Sequence, residues 1–297
     1  VVRLGVVDDG HGPIQVGGDV DVDVADAVRV AHDRDLRLAA HLYYLADAKG
    51  LLEAGADLLA HSVRDVEVDD ELIALLRDSG VCYCPTLMRE VSTYVYESRP
   101  DWFDDPFFRK EADAEVVTAL ETPEYQERMQ NSSSAQTYKA QLEVAKQNLK
   151  ALSDAGIPIA MGTDTGPAAR FQGYFEHGEL ALMVEAGLTP MQAIVAATRI
   201  GADLLSQGTA DYGTLEPGHR ADLIILNADP LGDIANLERT IPRDWITEDG
   251  WLPNEKFITY ARPLIQGELH LPSMNGLPVF ARLLKVKIEK KLPAREA

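Results

Sequence analysis

Residues 38–63, LAAHLYYLADAKGLLEAGADLLAHSV, contain two short apolar runs separated by a helical pattern. The first apolar run ends in His41 and the second in His61. Length and apolar character predict parallel strands over Leu36–Ala40 and Asp57–Ala60, with an intervening helix that a glycine ends. Both histidines are then expected at the carboxyl-terminal rim of one parallel sheet, where α/β barrels carry out their chemistry.

Two histidines one strand–helix unit apart are consistent with metal ligands, acid–base groups or locally hydrogen-bonded side chains. A downstream feature favours a functional role for them. Residues 156–166, GIPIAMGTDTG, predict another apolar strand, which delivers Asp164 into a turn rich in glycine and threonine. Imidazole and carboxylate groups are both ligands that zinc takes in proteins.

The composition excludes several classes of partner. The chain has 297 residues, of which 46% are hydrophobic, enough to bury the core of one large or two ordinary domains. Its net charge of −20 repels phosphate backbones and anionic lipid surfaces, so neither nucleic acid nor a membrane is an expected partner. The sequence contains no apolar run of the roughly 18 residues that a membrane-spanning helix needs.

The two cysteines, Cys82 and Cys84, are too few for a disulfide framework. They occupy positions i and i+2 of a predicted strand, so their side chains point to the same face of the sheet. Two buried thiols are favoured over a metal-binding or redox pair.

Strands and helices alternate at intervals of about 20 residues in the first part of the chain. Val1–Val7 and Val81–Cys84 predict further buried strands, and a helix begins at Asp69 or Asp70 and ends at Gly80. This alternation is typical of βα units in a parallel sheet. Further helices are predicted at about 136–155, Phe175–Ala186 and Pro190–Leu205.

An insert over about 86–134 interrupts the alternation. Loops of this length in compact domains are usually lids or helical insertions. For most of its aromatic residues, packing of the insert onto the sheet is favoured. Arg89 lies just past a strand end, where it either pairs with a substrate carboxylate or forms a structural ion pair with Glu or Asp.

The pattern changes from Gly208 onward, where short strand-like segments replace the helical spacing. They lie at Leu223–Leu226, Phe257–Tyr260 and Pro278–Val286. The predicted organisation is therefore a barrel portion over 1–207 and part of a small β-sandwich domain over 208–297.

Six motifs in order, AHLYY, LLAHSVRD, PTL, AMGTDTG, HGELALMVEAGLTPMQAIVAAT and GTLEPGHRADLIIL, resemble the metal-dependent amidohydrolase superfamily. The nearest branch resembles imidazolonepropionase-like enzymes and Xaa-Pro or Xaa-Arg dipeptidases. The resemblance covers residues 1 to about 230. It implies a (β/α)8 TIM-type barrel with a flanking β-sandwich, binding one or two divalent metal ions, usually zinc.

The resemblance also implies roles for individual residues. His41 and His61 correspond to metal ligands at the ends of barrel strands 5 and 6. Asp164 corresponds to the strand-8 aspartate, which is both ligand and proton shuttle, so Asp164 and His61 are the predicted catalytic residues. The implied reaction is hydrolysis of an amide or cyclic amide C–N bond in a small-molecule or dipeptide-like substrate. Predicted substrate-binding residues are Arg89, Tyr43, Tyr44 and His177, the last favoured as a packing or supporting residue over a catalytic one.

The sequence departs from the family pattern at its start. It begins at what corresponds to strand 4, so the expectation is an α/β fold comprising the carboxyl-terminal half of the barrel, about strands 4 to 8, truncated at the amino terminus. The His-x-His pair of strand 1 is absent. Arg3 and Leu4 stand where two-metal members carry a carboxylated lysine, and a guanidinium repels a metal ion. Either the site is mononuclear or the alignment is shifted there.

Two alternatives to amide hydrolysis remain open. One is a non-catalytic partial barrel, whose open sheet edges favour a homo-oligomer or pairing with a missing half. The other keeps the metal site but changes the bond to an ester, lactone or phosphotriester. A cytoplasmic location is favoured, although a signal peptide upstream of Val1 would escape detection.

Overall fold

The computed structural model describes residues 4–7, 14–16, 24–220, 226 and 228–238. Its central feature is a five-stranded sheet in the order β2-β1-β3-β4-β5. The strands are β1 (Leu4–Val7), β2 (Ile14–Val16), β3 (Arg37–His41), β4 (Leu58–Ala60) and β5 (Cys82–Cys84).

Strands β3, β4 and β5 are parallel, as the sequence predicts. His41 at the end of β3 is in register with Ala60, and Ala60 is in register with Cys84. The carboxyl-terminal ends of the three strands therefore lie side by side. Both cysteines of β5 are free thiols, Cys82 buried and Cys84 half-buried.

Strand β1 departs from the expectation of an all-parallel barrel portion. It is antiparallel to both of its neighbours, β2 and β3. Ile14–Val16 form a short strand that the sequence analysis does not predict. Strand β1 therefore lies between two strands, β2 and β3, that both run in the direction opposite to its own.

The predicted strand over 156–166 is also largely absent. Among the described residues, this segment contributes a single parallel bridge, between Ile159 and Tyr83 of β5. Tyr83 donates its N–H to the carbonyl of Pro158 at 3.0 Å, and Ala160 donates to the carbonyl of Tyr83 at 3.0 Å. Pro158 has no N–H to extend the ladder, which limits the pairing.

Three helices connect the strands of the first part of the chain. Asp69 caps α3 by accepting a hydrogen bond from the N–H of Leu72 at 3.0 Å. Gly80 ends α3 in a left-handed conformation with φ of 67°, so both predicted helix boundaries are confirmed. These helices are α1 (Val24–His32), α2 (Leu45–Glu53) and α3 (Asp70–Ser79).

The insert is helical, and its aromatic residues pack among themselves. Tyr96, Phe103 and Phe108 are buried in one cluster with Leu120. Packing is therefore the role of these aromatic residues, but their partners are one another together with Phe171 and Tyr174, whereas the sequence predicted packing onto the sheet. The insert contains α4 (Leu87–Val91), α5 (Pro106–Glu111), α6 (Ala114–Leu120) and α7 (Pro123–Gln130), with 3-10 turns at Val95–Glu97 and Asp101–Asp104.

The long helix α8 returns the chain from the insert to the sheet. Its Leu149 is fully buried, as are Leu38 of β3, Leu59 of β4 and Tyr83 of β5. Helices follow at the predicted positions, although a π-helical turn divides the last one. Their bounds are α8 (Ser133–Asp154), α9 (Tyr174–Glu185), α10 (Pro190–Val195), the π turn (Ala196–Ile200) and α11 (Gly201–Leu205), and a 3-10 turn covers Ile234–Glu238.

The chain divides into two compact units, Val1–Ile200 and Gly201–Ala297. The boundary predicted after residue 207 and the β-sandwich beyond it stay predictions. Apart from Leu226, the strands predicted at Leu223–Leu226, Phe257–Tyr260 and Pro278–Val286 lie outside the described residues. Within the described part of the chain, every helix is too short or too polar to cross a membrane.

Candidate active site

The candidate site lies at the carboxyl-terminal rim of the parallel strands. His41 is the last residue of β3, His61 directly follows β4, and Thr86 follows β5 by two residues. Asp164 comes five residues after the bridge at Ile159. The prediction that both histidines lie at one rim of the parallel strands is therefore confirmed, and Thr86 lies at the same rim.

Three rim residues have left-handed backbone conformations that non-glycine residues rarely adopt. The φ angles are 75° at His61, 52° at Thr86 and 55° at Asp164. Left-handed backbone costs an L-residue roughly 1–2 kcal/mol, and for the β-branched Thr86 it is a clear outlier. Such strain concentrates at active sites and ligand clamps. Its occurrence directly after β4, shortly after β5 and five residues after the bridge at Ile159 supports a functional site at this rim.

The two histidines are in direct contact. Nδ1 of His41 lies 2.5 Å from Nε2 of His61, and the ring centroids are 4.6 Å apart. Nδ1 of His61 lies 2.7 Å from the hydroxyl oxygen of Thr86. Both ring nitrogens of His61 are thus engaged, while only 5% of the residue is exposed.

The environment of His61 favours its neutral form. Burial lowers the pKa of His61 to about 2, and the positive charges of Arg89, Arg64 and Arg170, together with His41, act in the same direction. His61 is consequently uncharged throughout the physiological pH range. A neutral imidazole is the form that ligates a metal ion.

Asp164 is held by two arginines. Its Oδ2 lies 2.6 Å from Nη1 of Arg170 and 3.5 Å from Nε of Arg89. Nη1 of Arg170 also donates to the backbone carbonyl of Asp164 at 3.0 Å. The Asp164 side chain keeps 34% of its surface exposed, so its carboxylate is oriented and still accessible.

A third arginine, Arg64, is buried close by. Its Nε lies 3.2 Å from Oε2 of the buried Glu90, but the alignment is poor and both atoms lack a hydrogen-bond partner. Burial raises the pKa of Glu90, although Arg64 and Arg89 pull it down. Arg89 donates to the other oxygen of Glu90 at 3.0 Å, which realises the structural ion pair considered for it.

Glu179 of α9 is hydrogen-bonded to the backbone of the two residues that follow Thr86. The Glu179 carboxyl accepts hydrogen bonds from the N–H groups of Leu87 at 2.8 Å and Met88 at 2.6 Å, the first residues of α4. Glu179 is fully buried, and burial raises its pKa to about 8. It therefore fixes the chain immediately after Thr86, and through it the hydroxyl that contacts His61.

The remaining predicted substrate-binding residues lie in different surroundings. The Tyr43 hydroxyl is hydrogen-bonded to the side chain of Gln141, and the Arg64 guanidinium lies 4.5 Å above the Tyr43 ring. Tyr44 is 53% exposed. His177 packs edge-on against Phe107 of the insert, with ring centroids 5.0 Å apart. Tyr43 thus joins the arginine cluster, whereas His177 contacts the insert.

The donor set fits a metal ion in part. Two zinc-bound nitrogens at tetrahedral geometry are separated by roughly 3.3 Å, so the 2.5 Å between His41 and His61 has to widen. Within the described residues, no group of three His, Cys, Asp or Glu side chains is placed to hold a metal ion. The histidines therefore fit as two ligands, while a catalytic zinc usually has three from the protein.

Several site residues were not predicted from the sequence as functional. The sequence does indicate that Thr86 lies at the rim, because it comes directly after Pro85, which ends the predicted strand Val81–Cys84. Arg64 and Arg170 carried none, since a charged residue in a loop is usually solvated. Glu179 reaches its partners from 91 or more residues away, a contact that local sequence patterns do not encode.

The comparison with protein families identifies the class. The model described as "Amidohydrolase family" matches residues 5–245, most of the chain. The protein therefore belongs to the amidohydrolase family, which confirms the resemblance seen in the sequence.

Individual relatives match shorter stretches. Imidazolonepropionase of Cutibacterium acnes is 39% identical over 77 residues, 26% of this chain and 19% of that protein. Pyrophosphate–fructose 6-phosphate 1-phosphotransferase of Halomonas elongata is 50% identical over 68 residues, 23% of this chain and 16% of that protein. The crystal structure of a Xaa-Pro dipeptidase with bound methionine matches with a TM-score of 0.53 and 24% identity, over 73% of this chain and 45% of that chain.

These matches establish the fold but leave the activity to be proposed. The chain spans less than a fifth of the length of the two curated relatives and just under half of the dipeptidase. The family and the structural neighbour give a TIM-barrel-like α/β fold. The two curated names describe different reactions, so neither short match assigns one by itself.

Proposed function

We propose that the protein is a hydrolase that cleaves an amide or cyclic amide C–N bond, with Asp164 moving the proton. The observation that carries this proposal is the strained backbone at His61, Thr86 and Asp164 in a chain of the amidohydrolase family. The imidazolonepropionase and dipeptidase relatives support the type of bond.

His41 and His61 would hold a divalent metal ion, with zinc as the expected species. In the tautomer suited to this, the Nδ1–H group of His61 donates a hydrogen bond to the Thr86 hydroxyl oxygen, and the Nε2 lone pair faces His41. A bound zinc ion would make a water molecule more acidic and would polarise the substrate carbonyl. A complete site requires a further ligand, for which Asp164 is the candidate; the count stays open between one ion and two.

Asp164 accepts the proton of the attacking water and delivers it to the leaving nitrogen. Without that proton the nitrogen would depart as an amide anion, a very poor leaving group. Acid–base assistance of this kind contributes about 10²–10⁴-fold to a rate. Arg170 and Arg89 hold the carboxylate in a fixed orientation for both transfers.

The substrate is proposed to be small and to carry a carboxylate, as a dipeptide or an imidazolone acid does. Arg64, Arg89 and Arg170 place three positive charges near His61, against two carboxylates, Glu90 and Asp164. The one positive charge that remains suits an anionic group of the substrate, and Arg89 is proposed as the residue that binds this group. Tyr43, Tyr44 and His177 are proposed as secondary contacts.

The test is an assay of the full chain against a dipeptide library and imidazolonepropionate, with and without added zinc. His41→Ala and His61→Ala should abolish zinc-dependent release of amine or acid. The matched control is His32→Ala, because His32 is an exposed histidine paired with Asp57. Equal activity in all four proteins would contradict the proposal.

A non-catalytic partial barrel is the second candidate. It is favoured by the absence, among the described residues, of a three-ligand group and by the engagement of Asp164 with two arginines. Stoichiometric, tight zinc binding by the full chain would argue against it. Turnover of esters, lactones or phosphotriesters in place of amides would instead change the bond assigned to the same site.

A further inference from the structure

We infer that the cavity between the insert and residues 166–174 receives an aromatic or bulky apolar side chain on the amine half of the substrate. The inference rests on the proposed function and adds a substrate class to it. It predicts a preference for dipeptides or N-acyl amino acids whose amine component is phenylalanine-like over those with glycine.

The cavity has a volume of about 430 Å³. This lies within the range of small-molecule sites, roughly 300–1,000 Å³. Most of the lining residues are apolar, and they include Phe107, Phe108, Val116, Phe171 and Tyr174. An apolar, concave surface of this size gains free energy by enclosing a side chain of similar character.

The walls of the cavity are braced by aromatic contacts. Trp102 stacks on Tyr174 with ring centroids 5.1 Å apart, and Phe108 meets Phe171 edge-on at 4.8 Å. The Tyr96 hydroxyl donates to the carbonyl of Ala169 at 2.6 Å, which ties the insert to the opposite wall. A preformed pocket loses little free energy to ordering when a ligand enters.

The cavity is connected to the chemistry through Arg170. This residue lines the cavity and also bonds the Asp164 carboxylate at 2.6 Å. Because Asp164 protonates the leaving nitrogen, the amine half of the substrate lies on the Asp164 side. The side chain of that half is therefore the part of the substrate nearest to the cavity.

The charges of the lining agree with an amino-acid leaving group. Three charged residues, Lys110, Arg170 and Asp113, are part of the lining, and Arg170 is paired with Asp164. A free α-carboxylate on the amine half would have the Arg170 guanidinium as its hydrogen-bond partner in the lining. Phenylalanine-like residues combine the required apolar ring with that carboxylate.

The test compares full chains carrying Ala168→Trp, which fills the cavity, with Ala181→Trp as control. Ala168 is an exposed residue of the lining, and Ala181 is an exposed residue of α9 outside it. Ala168→Trp should lower kcat/KM for glycyl-phenylalanine relative to glycyl-glycine by about 10-fold or more, the scale of hydrophobic-pocket discrimination. Ala181→Trp should leave the ratio unchanged. An unchanged ratio in Ala168→Trp overturns the inference.

A binding measurement separates this inference from the proposed function. N-acetyl-L-phenylalanine serves as the probe, and saturation-transfer NMR detects its contact with the full chain. If Ala168→Trp abolishes binding of the probe and Ala181→Trp preserves it, the cavity is a ligand site, even where no dipeptide is hydrolysed. Binding that is absent from the wild type, or equal in all three proteins, overturns it.

Discussion

Replacing Thr86 with valine removes one hydroxyl beside His61 and leaves the side-chain shape almost unchanged. In the wild type that hydroxyl lies 2.7 Å from Nδ1 of His61, and the two residues are 4% and 5% exposed. Water therefore has little access to replace the lost partner. Because valine is also β-branched, the strain at φ of 52° persists, and the substitution isolates the hydrogen bond.

The magnitude follows from the burial of the bond. A buried polar group that loses its partner costs about 1–3 kcal/mol of folding free energy. Removing a hydrogen-bond partner from a metal-ligating histidine typically costs about 10–100-fold in metal affinity or activity. Both losses are expected in Thr86→Val, and the second is specific to the role proposed for His61.

The assay combines urea unfolding of the full chain with zinc titration. Thr86→Ser is the matched control, because it keeps the hydroxyl and loses only a methyl group. It should bind zinc nearly as tightly as the wild type. The reasoning is refuted if Thr86→Val binds zinc and unfolds like the wild type, or if Thr86→Ser loses as much affinity as Thr86→Val.

Three further predictions concern packing and pH. Gly162→Ala should lower both the thermal stability and the activity of the chain, because the new Cβ would lie 2.6 Å from Sγ of Cys84. Adding Cys84→Ala to that variant should restore both properties. The control Gly50→Ala, which has open space around the new Cβ, should be neutral or stabilising in thermal unfolding. The raised pKa of Glu179 stabilises the fold fully below its ordinary value of 4.5, and this contribution is lost as pH rises through about 8. Each pKa unit corresponds to about 1.4 kcal/mol, so urea unfolding at pH 5 and pH 9 should show a larger decline for the wild type than for Glu179→Gln. Leu149→Ala should cost about 2–5 kcal/mol in the same assay, because Leu149 is fully buried in the core; a loss below 1 kcal/mol would contradict the packing described.

The positions of His41 and His61 followed from the sequence because strand length and helical spacing are local properties. Apolar runs of four or five residues bounded by polar ones define parallel strands, and the residue after each run falls on the rim. The caps of α3 were equally local, since Asp69 and Gly80 carry their own conformational preferences. The core of the parallel sheet could therefore be predicted.

Other features depend on contacts that no local pattern encodes. The direction of β1 is set by pairing with β2 and β3, and a three-residue strand carries too little periodicity to be recognised. The segment around Asp164 reads as apolar strand, yet Pro158 restricts it to a single bridge. Glu179 reaches α4 through tertiary packing alone. These contacts decide how the rim is strained and charged, which the sequence did not reveal.

The most direct measurement of the central claim is the kcat of the full chain and of Asp164→Asn on the best substrate from the library. Asparagine has the same shape but cannot accept and return the proton. The account predicts that kcat, measured with zinc in excess, falls about 10²–10⁴-fold or more while circular dichroism is unchanged. A kcat within twofold of the wild type would contradict it.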